Sequence, residues 1–137
     1  MPDTPGVLIT DIRGFANPVI ARRLAAAGAR VIGCDREITA DGVDDGVDVV
    51  AWGSPPDVVE RATARLGGKL DAIVISGAMP APRLKVEDLT VEALMPYFLH
   101  LAAESIAFAG AAVKAMRPHK SGRIVFGSSS GPIGGIP

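Results

Sequence analysis

The sequence predicts an α/β fold in which a doubly wound parallel β-sheet carries helices on both faces. Short apolar runs rich in branched residues alternate with helical patterns along the chain, and this alternation is typical of parallel sheets. Apolar residues make up 48% of the sequence and charged residues 21%, so the chain can bury a core. With 137 residues, residues 1–137 are expected to form a single domain.

The first half of the chain begins with a strand, a turn and a helix. The run GVLIT at 6–10 has the length and composition of a buried strand, and 18–27 repeats apolar residues at helical spacing. Gly28 stands where a helix ends in a left-handed residue, and 30–35 (RVIGCD) predicts a second strand. Together these elements form a βαβ unit.

The second crossover is predicted to be short. Residues 36–46 are acidic and interrupted by glycines, which makes them too short for a good crossover helix, and a weaker strand follows at 47–52. Ser54 followed by Pro55 is typical of a helix start, and this helix is expected to end near Leu66, before two glycines.

The second half supplies two more strands and one long helix. The strands are predicted at 71–76 and 123–127, with a proline-rich loop and a helix from about 91 to 116 between them. Because crossovers between parallel strands are right-handed, the expected strand order is 3-2-1-4-5, which reverses between strands 1 and 4.

The reversal of strand order predicts where a ligand binds. Ligands of such sheets occupy the crevice beyond the carboxyl ends of the strands at the reversal. Residues 10–17, 76–78 and 127–131 are therefore expected to line one cleft.

Charge and composition narrow the classes of partner. The net charge is −1 with both signs spread along the chain, which argues against binding to nucleic acid or to anionic lipid and favours a small-molecule substrate. The long apolar stretch is interrupted by His100, Glu104 and Lys114, which argues against a membrane span. The N-terminus lacks the pattern of a secretion signal, so a cytoplasmic location is expected.

The cysteine and the histidines predict neither a disulfide framework nor a metal site. Cys34 is the only cysteine and is expected to pack as a small buried hydrophobe. His100 and His119 have no second ligand at a useful spacing, so no metal cofactor is expected.

Four segments resemble the N-terminal half of the short-chain dehydrogenase/reductase family, which has a Rossmann-like fold. They are LIT with its turn, IARRLAAAGARVIGCD, LDAIVISGA and GRIVFGSSSG, and the similarity extends over nearly the whole chain. That family carries T-G-x-x-x-G-x-G in the first turn. Here Thr10 keeps its place, whereas the three glycines become Asp11, Phe15 and Asn17. Glycines there let the backbone approach a pyrophosphate, so dinucleotide binding is disfavoured.

Asn17 also has a local interpretation. Asn is a preferred N-cap residue and Pro18, which follows it, is favoured at the first helical position. Asn17 is therefore expected to cap the first helix.

Thr10 is followed five residues later by Phe15 and then by Ala16. This pattern resembles that of one offshoot of the family, the halohydrin dehalogenases. The resemblance implies a coenzyme-independent enzyme that converts a halohydrin into an epoxide and halide and also opens epoxides. It implies that Phe15, Ser76 and Gly77 line the substrate and halide pocket. Leu101 stands where ordinary members carry an asparagine, as expected for a dehalogenase. Two features differ: dehalogenases usually keep a glycine at the position of Asn17, and the short second crossover is more like that of some oxidoreductases.

The resemblance also implies a catalytic serine. In the segment IVFGSSSG the serine in the family's register is Ser129, which would hold the substrate hydroxyl. The family's tyrosine should follow about thirteen residues later, and a basic residue four positions beyond it. Both positions fall after Pro137, so the sequence is expected to be an incomplete Rossmann-like fold without the family's C-terminal strands.

Two other functions stay open. One is an NAD(P)-dependent oxidoreductase acting on an alcohol or carbonyl, in which Thr10 and Asp35 would bind the cofactor; an acidic residue ending the second strand is the usual NAD signal. The other is an inactive truncated remnant. Each residue also has a purely structural interpretation: Thr10 can satisfy backbone groups at a strand end, Asp35 can be a solvated acid, and Phe15 can cover the corner between strand and helix.

The helix at 91–116 predicts a partner subunit. Apolar residues surround almost its entire circumference, which is typical of a helix buried on both sides. One side is expected to cover the sheet and the other, rich in Ala and Gly, to pack against a second copy in a homo-oligomer.

Overall fold

A six-stranded sheet forms the centre of the molecule. The computed structural model describes residues 4–77 and 83–127. The strands in chain order are β1 (Gly6–Ile9), β2 (Arg30–Gly33), β3 (Gly42–Asp44), β4 (Val47–Val49), β5 (Ala72–Ile75) and β6 (Arg123–Phe126). Their order across the sheet is β3-β4-β2-β1-β5-β6.

Five of these strands confirm the predicted fold class and the order 3-2-1-4-5. Strands β4, β2, β1, β5 and β6 are all parallel to their neighbours. Leu8 in the central strand lies opposite Ile32 on one side and Ile73 on the other. The order reverses between β1 and β5, so their carboxyl ends border the predicted crevice.

Strand β3 was not predicted, and it lies within the second crossover, which the sequence analysis expected to be only a short connection. Residues 42–44 pair antiparallel with β4 in a hairpin at the edge of the sheet. Asp45 and Gly46 form its turn with φ angles of 47° and 77°, as a two-residue turn of the hairpin type requires. The Asp-Gly pair between Val43 and Val47 was a readable hairpin signal that the sequence interpretation missed.

Helices cover both faces of the sheet. They are α1 (Asn17–Ala26), α2 (Pro55–Arg65), α3 (Val91–Phe98) and α4 (Ser105–Met116). Gly28, with φ of 91°, ends α1 as predicted, and Ser54 precedes α2 as its N-cap residue, although its side chain makes no capping hydrogen bond. Two separate apolar clusters result, one containing Val7, Ile9 and Ala21 and the other Leu8, Val58 and Phe108.

The long helix predicted at 91–116 is not regular in its middle. Residues Leu99–Glu104 form a π-helical segment between α3 and α4. Pro96 lies inside α3, where it lacks the N–H that a helix interior uses. A π segment adds one residue to the turn and often lies at a functional site. Here it contains the buried His100.

The same helical region also meets the length and composition of a membrane span. Residues 91–119 include a stretch with mean hydropathy 1.3, of which 17% is buried. Core helices of soluble proteins meet the same criteria. In this chain α4 packs against α2 and β5, and the preceding π segment carries an ion pair between Glu104 and Arg36.

Candidate functional site

The backbone N–H groups of the first turn, residues 10–17, donate hydrogen bonds within the turn and to the residues that follow β2. Thr10 and Asp11 are buried at the end of β1. The bonds are Ile12 N–H to the Cys34 carbonyl (3.0 Å), Arg13 N–H to Asp35 Oδ2 (3.2 Å), Gly14 N–H to the Asp11 carbonyl (2.8 Å) and Asn17 N–H to the Gly14 carbonyl (3.0 Å). These four N–H groups are therefore already engaged within the protein.

Two residues of this turn keep a backbone conformation that favours glycine. Asp11 has a φ of 48° and Phe15 a φ of 44°. Both stand at positions where the resembled family has glycine. The left-handed conformation costs roughly 1–2 kcal/mol for a residue with a Cβ atom. The turn therefore retains the shape of a glycine-rich loop although it has lost the two glycines that would relieve the strain.

Asn17 does not cap the first helix as predicted. Ala16 is the N-cap residue, and Asn17 is the first residue of α1. Its buried side chain instead donates from Nδ2 to the carbonyls of Thr10 (3.0 Å) and Asp11 (2.9 Å) and to Ser76 Oγ (2.6 Å). The local capping preference is overridden because these tertiary acceptors surround the amide.

The predicted residues Thr10, Ser76 and Gly77 meet at the ends of β1 and β5. The Ser76 N–H donates to Thr10 Oγ1 at 3.4 Å, a long hydrogen bond. A Cβ atom on Gly77 would lie 2.2 Å from Leu101, so Gly77 packs directly against the long helix. A Cβ atom on Gly127 would likewise lie 2.6 Å from the Ser76 Cβ. Three segments of the predicted cleft therefore converge on Ser76.

A cluster of charged side chains joins the first turn to the π segment. His100 Nε2 lies 3.2 Å from Asp11 Oδ1, and both side chains are at least nine-tenths buried. On the other side of the ring, Nδ1 lies 2.8 Å from Glu104 Oε2 and 2.9 Å from Arg36 Nε. Arg36 Nη2 also pairs with Glu104. The cluster thus links β1, the residues following β2, and the long helix.

The Nδ1 atom of His100 cannot satisfy both of its neighbours in the same state. It accepts the Arg36 Nε–H only when unprotonated, and it donates to Glu104 only when protonated. The ring therefore makes one of these two Nδ1 contacts as a hydrogen bond at a time.

Aromatic packing attaches this cluster to the core. The Arg36 guanidinium carbon lies 5.1 Å from the centre of the Trp52 ring, which is within the range of a cation–π contact. Trp52 in turn packs against Phe108 and His100, with ring centroids 5.7 Å and 6.3 Å apart.

Asp35 is held by backbone groups. Its Oδ2 accepts the Arg13 N–H at 3.2 Å, and its Oδ1 accepts the Glu37 N–H at 3.1 Å. The Arg13 side chain makes a bidentate contact with Asp44, which raises the pKa of Arg13 and lowers that of Asp44. Both oxygens of Asp35 therefore accept backbone hydrogen bonds from nearby residues.

The remaining predicted residues lie apart from this group or outside the described residues. Phe15 is 97% exposed, so its ring does not cover the corner between strand and helix. Its role as a pocket wall stays a prediction. Ser129 and Ala78 lie outside the described residues.

Sequence reasoning missed the charged cluster. His100 and Glu104 are four residues apart, a spacing that places two side chains on one side of a helix, and both interrupt an apolar segment. That pattern could have indicated a buried polar contact. Nothing local indicates Asp11 or Arg36 as the partners.

The residues of the first turn do not fit a dinucleotide. A pyrophosphate needs free backbone N–H groups and a close approach to the main chain. Here four N–H groups are engaged, and Asp11 presents a carboxylate where the resembled family has its first glycine. The side chain of Phe15 stands where the resembled family has its second glycine. Among residues 4–77 and 83–127, no three His, Cys, Asp or Glu side chains are grouped to hold a metal ion.

Comparison with known proteins identifies the fold. No known protein-family profile matches the sequence. No curated protein matches it either. A solved structure described as a dehalogenation enzyme is 28% identical, with a TM-score of 0.84, and the match covers 98% of this chain and 57% of that one.

Two further solved structures share the fold at lower identity. A halohydrin dehalogenase bound to ethyl (2S)-oxiran-2-ylacetate is 23% identical, with a TM-score of 0.81 over 93% of this chain and 54% of its own. A short-chain dehydrogenase from Leptospira borgpetersenii serovar Hardjo-bovis with bound NAD+ is 15% identical, with a TM-score of 0.79 over 98% of this chain and 55% of its own. The chain thus has the fold of the short-chain dehydrogenases/reductases and spans a little more than half the length of these structures.

Proposed function

We propose that this chain belongs to a coenzyme-independent enzyme that converts a vicinal halohydrin into an epoxide and halide, and that also opens epoxides. The observation that carries the proposal is the first turn: the three glycines of the family's motif are replaced, four N–H groups are engaged, and Asp11 contacts His100. The similarity to a dehalogenation enzyme at 28% identity supports the same class. No coenzyme is required for this reaction.

The proposed reaction is an internal displacement. A base removes the proton from the substrate hydroxyl, the resulting oxygen forms a bond to the neighbouring carbon, and the carbon–halogen bond breaks with its electron pair leaving on the halide. Nothing is oxidised or reduced. Ser129 is proposed to hold the hydroxyl oxygen, with Phe15, Ser76 and Gly77 next to the halide.

An NAD(P)-dependent oxidoreductase is the second candidate. The NAD+-bound dehydrogenase with the same fold supports it, as does the position of Asp35 just after β2. In that case Thr10 and Asp35 would contact the coenzyme. The engaged oxygens of Asp35 argue against this candidate.

One experiment separates the candidates. Halide release from 1,3-dichloro-2-propanol is followed without coenzyme, and thermal unfolding is followed with and without NAD+, NADH, NADP+ or NADPH. Halide release with no coenzyme-dependent change in Tm supports the proposal. A coenzyme-dependent rise in Tm supports the oxidoreductase. The absence of both halide release and a coenzyme-dependent change in Tm supports an inactive remnant.

The residues encoded after Pro137 give an independent test. A tyrosine followed four residues later by arginine favours dehalogenation, whereas the same tyrosine followed by lysine favours oxidoreduction.

We further propose that the enzyme is a cytoplasmic homo-oligomer that associates through the long helix. Several large apolar side chains of this helical region are exposed, namely Val91, Met95, Phe98, Leu99, Ile106 and Val113. A second copy of the same surface would remove them from water. Light scattering on the wild-type chain and on an Ile106→Glu variant tests this, because the variant should be monomeric if the surface is the interface.

A further inference from the structure

We propose that Asn17 is a positioning residue that aims the hydroxyl hydrogen of Ser76 into the cleft, where it donates to the departing halide. This inference rests on the proposed dehalogenation. It concerns two residues whose hydrogen bond joins the start of α1 to the end of β5. The bond between Asn17 Nδ2 and Ser76 Oγ measures 2.6 Å.

The direction of this bond is fixed by the other partners of Asn17. Its Nδ2 atom also contacts the carbonyl oxygens of Thr10 and Asp11, and these oxygens can only accept hydrogen bonds. The amide group therefore presents its NH₂ end, not its oxygen, to all three neighbours. An amide nitrogen does not accept hydrogen bonds, so Ser76 Oγ accepts from Asn17, with the two amide hydrogens shared among the three acceptors.

An accepting hydroxyl keeps its own hydrogen for another partner. Because one lone pair of Ser76 Oγ is occupied by Asn17, the O–H bond of Ser76 points away from the amide. Ser76 is only half-buried, whereas Asn17 is 2% exposed. The O–H bond of Ser76 is thus directed away from the buried amide of Asn17.

A donor in a fixed direction suits an anion that develops during the reaction. The departing halogen gains negative charge as the carbon–halogen bond breaks, and a pre-oriented donor stabilises such charge without reorganisation. Ser129 is proposed to hold the substrate oxygen. We therefore assign to Ser76 the hydrogen bond to the halogen. The family's glycine at position 17 has no side chain that could impose this orientation.

The sequence provides an unusually direct probe for the test. The chain contains one asparagine and no glutamine, so the side-chain NH₂ signals in a ¹⁵N–¹H NMR spectrum all arise from Asn17. In the wild-type chain this pair should exchange slowly with water because it is buried. Its shifts should change saturably as sodium bromide is added at constant ionic strength, because an anion on the Ser76 hydroxyl polarises the oxygen that Asn17 contacts.

Three variants complete the test. Ser76→Ala should keep the NH₂ signals, which two carbonyls still hold, but these signals should no longer respond to bromide. Ser105→Ala, which changes a serine of α4 buried outside the cleft, should respond as the wild type does. Asn17→Gly should still bind bromide, as followed by the backbone N–H of Gly77, with affinity weakened about tenfold because the hydroxyl rotates freely.

The proposal is overturned if the NH₂ shifts of Asn17 do not change with bromide in the wild type. It is also overturned if they change equally in the wild type and in Ser76→Ala. An Asn17→Gly variant with unchanged bromide affinity would overturn the role of Asn17. If halide release without coenzyme occurs alongside either result, the proposed function stands and only the positioning role fails. Bromide binding in a chain that also binds NAD+ would instead remove the proposed function.

Discussion

The carboxylate of Asp11 and the imidazole of His100 lie 3.2 Å apart across the end of the sheet, and both side chains are almost completely buried. Asp11 belongs to the first turn and His100 to the π segment of the long helix. Their contact joins the two walls of the cleft at a point where the resembled family has a bare glycine. The protein thereby fills with its own side chains a position that its fold otherwise leaves open.

Removing the imidazole should therefore destabilise the protein strongly. His100→Ala leaves the buried carboxylate of Asp11 without this partner, and a buried charged group that loses a hydrogen-bond partner costs about 2–3 kcal/mol. Urea unfolding at neutral pH should show a loss of about 2–3 kcal/mol in the free energy of unfolding. His119→Ala, at an exposed histidine, is the matched control and should change it by less than about 0.5 kcal/mol. Equal effects of the two variants would contradict the role of the cluster.

The general architecture could be predicted because it depends on local patterns. Apolar runs such as 6–10 and 71–76 predicted strands, Gly28 predicted the end of α1, and right-handed crossovers then fixed the strand order. The described strands lie within a few residues of those predictions.

The polar contacts of the site could not be predicted in this way, since they join residues far apart in the sequence. Asn17 has the local features of a helix cap, yet its amide also reaches Ser76, a residue that only the folded sheet brings next to it. His100 interrupts an apolar helix, but the sequence does not reveal that Asp11 and Arg36 reach it. The π segment that holds His100 also has no clear signal in composition.

Replacing Phe15 with glycine should relieve backbone strain. The φ of Phe15 is 44° and its ring is 97% exposed, so the substitution loses little packing in this chain. Phe15→Ala keeps the Cβ atom and hence the strain, so Phe15→Gly should be more stable than Phe15→Ala, by up to about 1 kcal/mol. Ala25→Gly, in the ordinary helical conformation of α1, should instead lose roughly 1 kcal/mol. Thermal unfolding of the three variants measures these differences, and the opposite order at position 15 would rule out strain there.

Cys34 should be unreactive in the folded protein. The side chain is completely buried, and burial, together with the nearby charge of Asp11, raises the pKa of its thiol. Since the thiolate is the reactive form, alkylation by iodoacetamide at neutral pH should be at least about 100-fold slower than in denaturant. A Ser121→Cys variant adds an exposed thiol, and one thiol per chain should then be alkylated at the rate of a free cysteine. Rapid labelling of Cys34 in the native wild type would show that β2 opens readily.

Asp71 should make stability depend on acid pH. Its carboxylate pairs with Lys69 at 2.8 Å and accepts the Gly6 N–H at 2.8 Å, and these two contacts, chiefly that with Lys69, lower its pKa in the folded protein. Because the folded pKa lies below the unfolded one, the stabilisation is fully present above about pH 4 and is lost as pH falls through the folded pKa. Asp71→Asn should therefore cost about 1 kcal/mol at pH 7, with the difference from the wild type shrinking below pH 4. Asp48→Asn, at an exposed position on β4, is the control and should show no such convergence. Urea unfolding across this pH range measures both, and a constant difference for Asp71→Asn down to the lowest pH would mean that the lost contacts do not depend on the charge of Asp71.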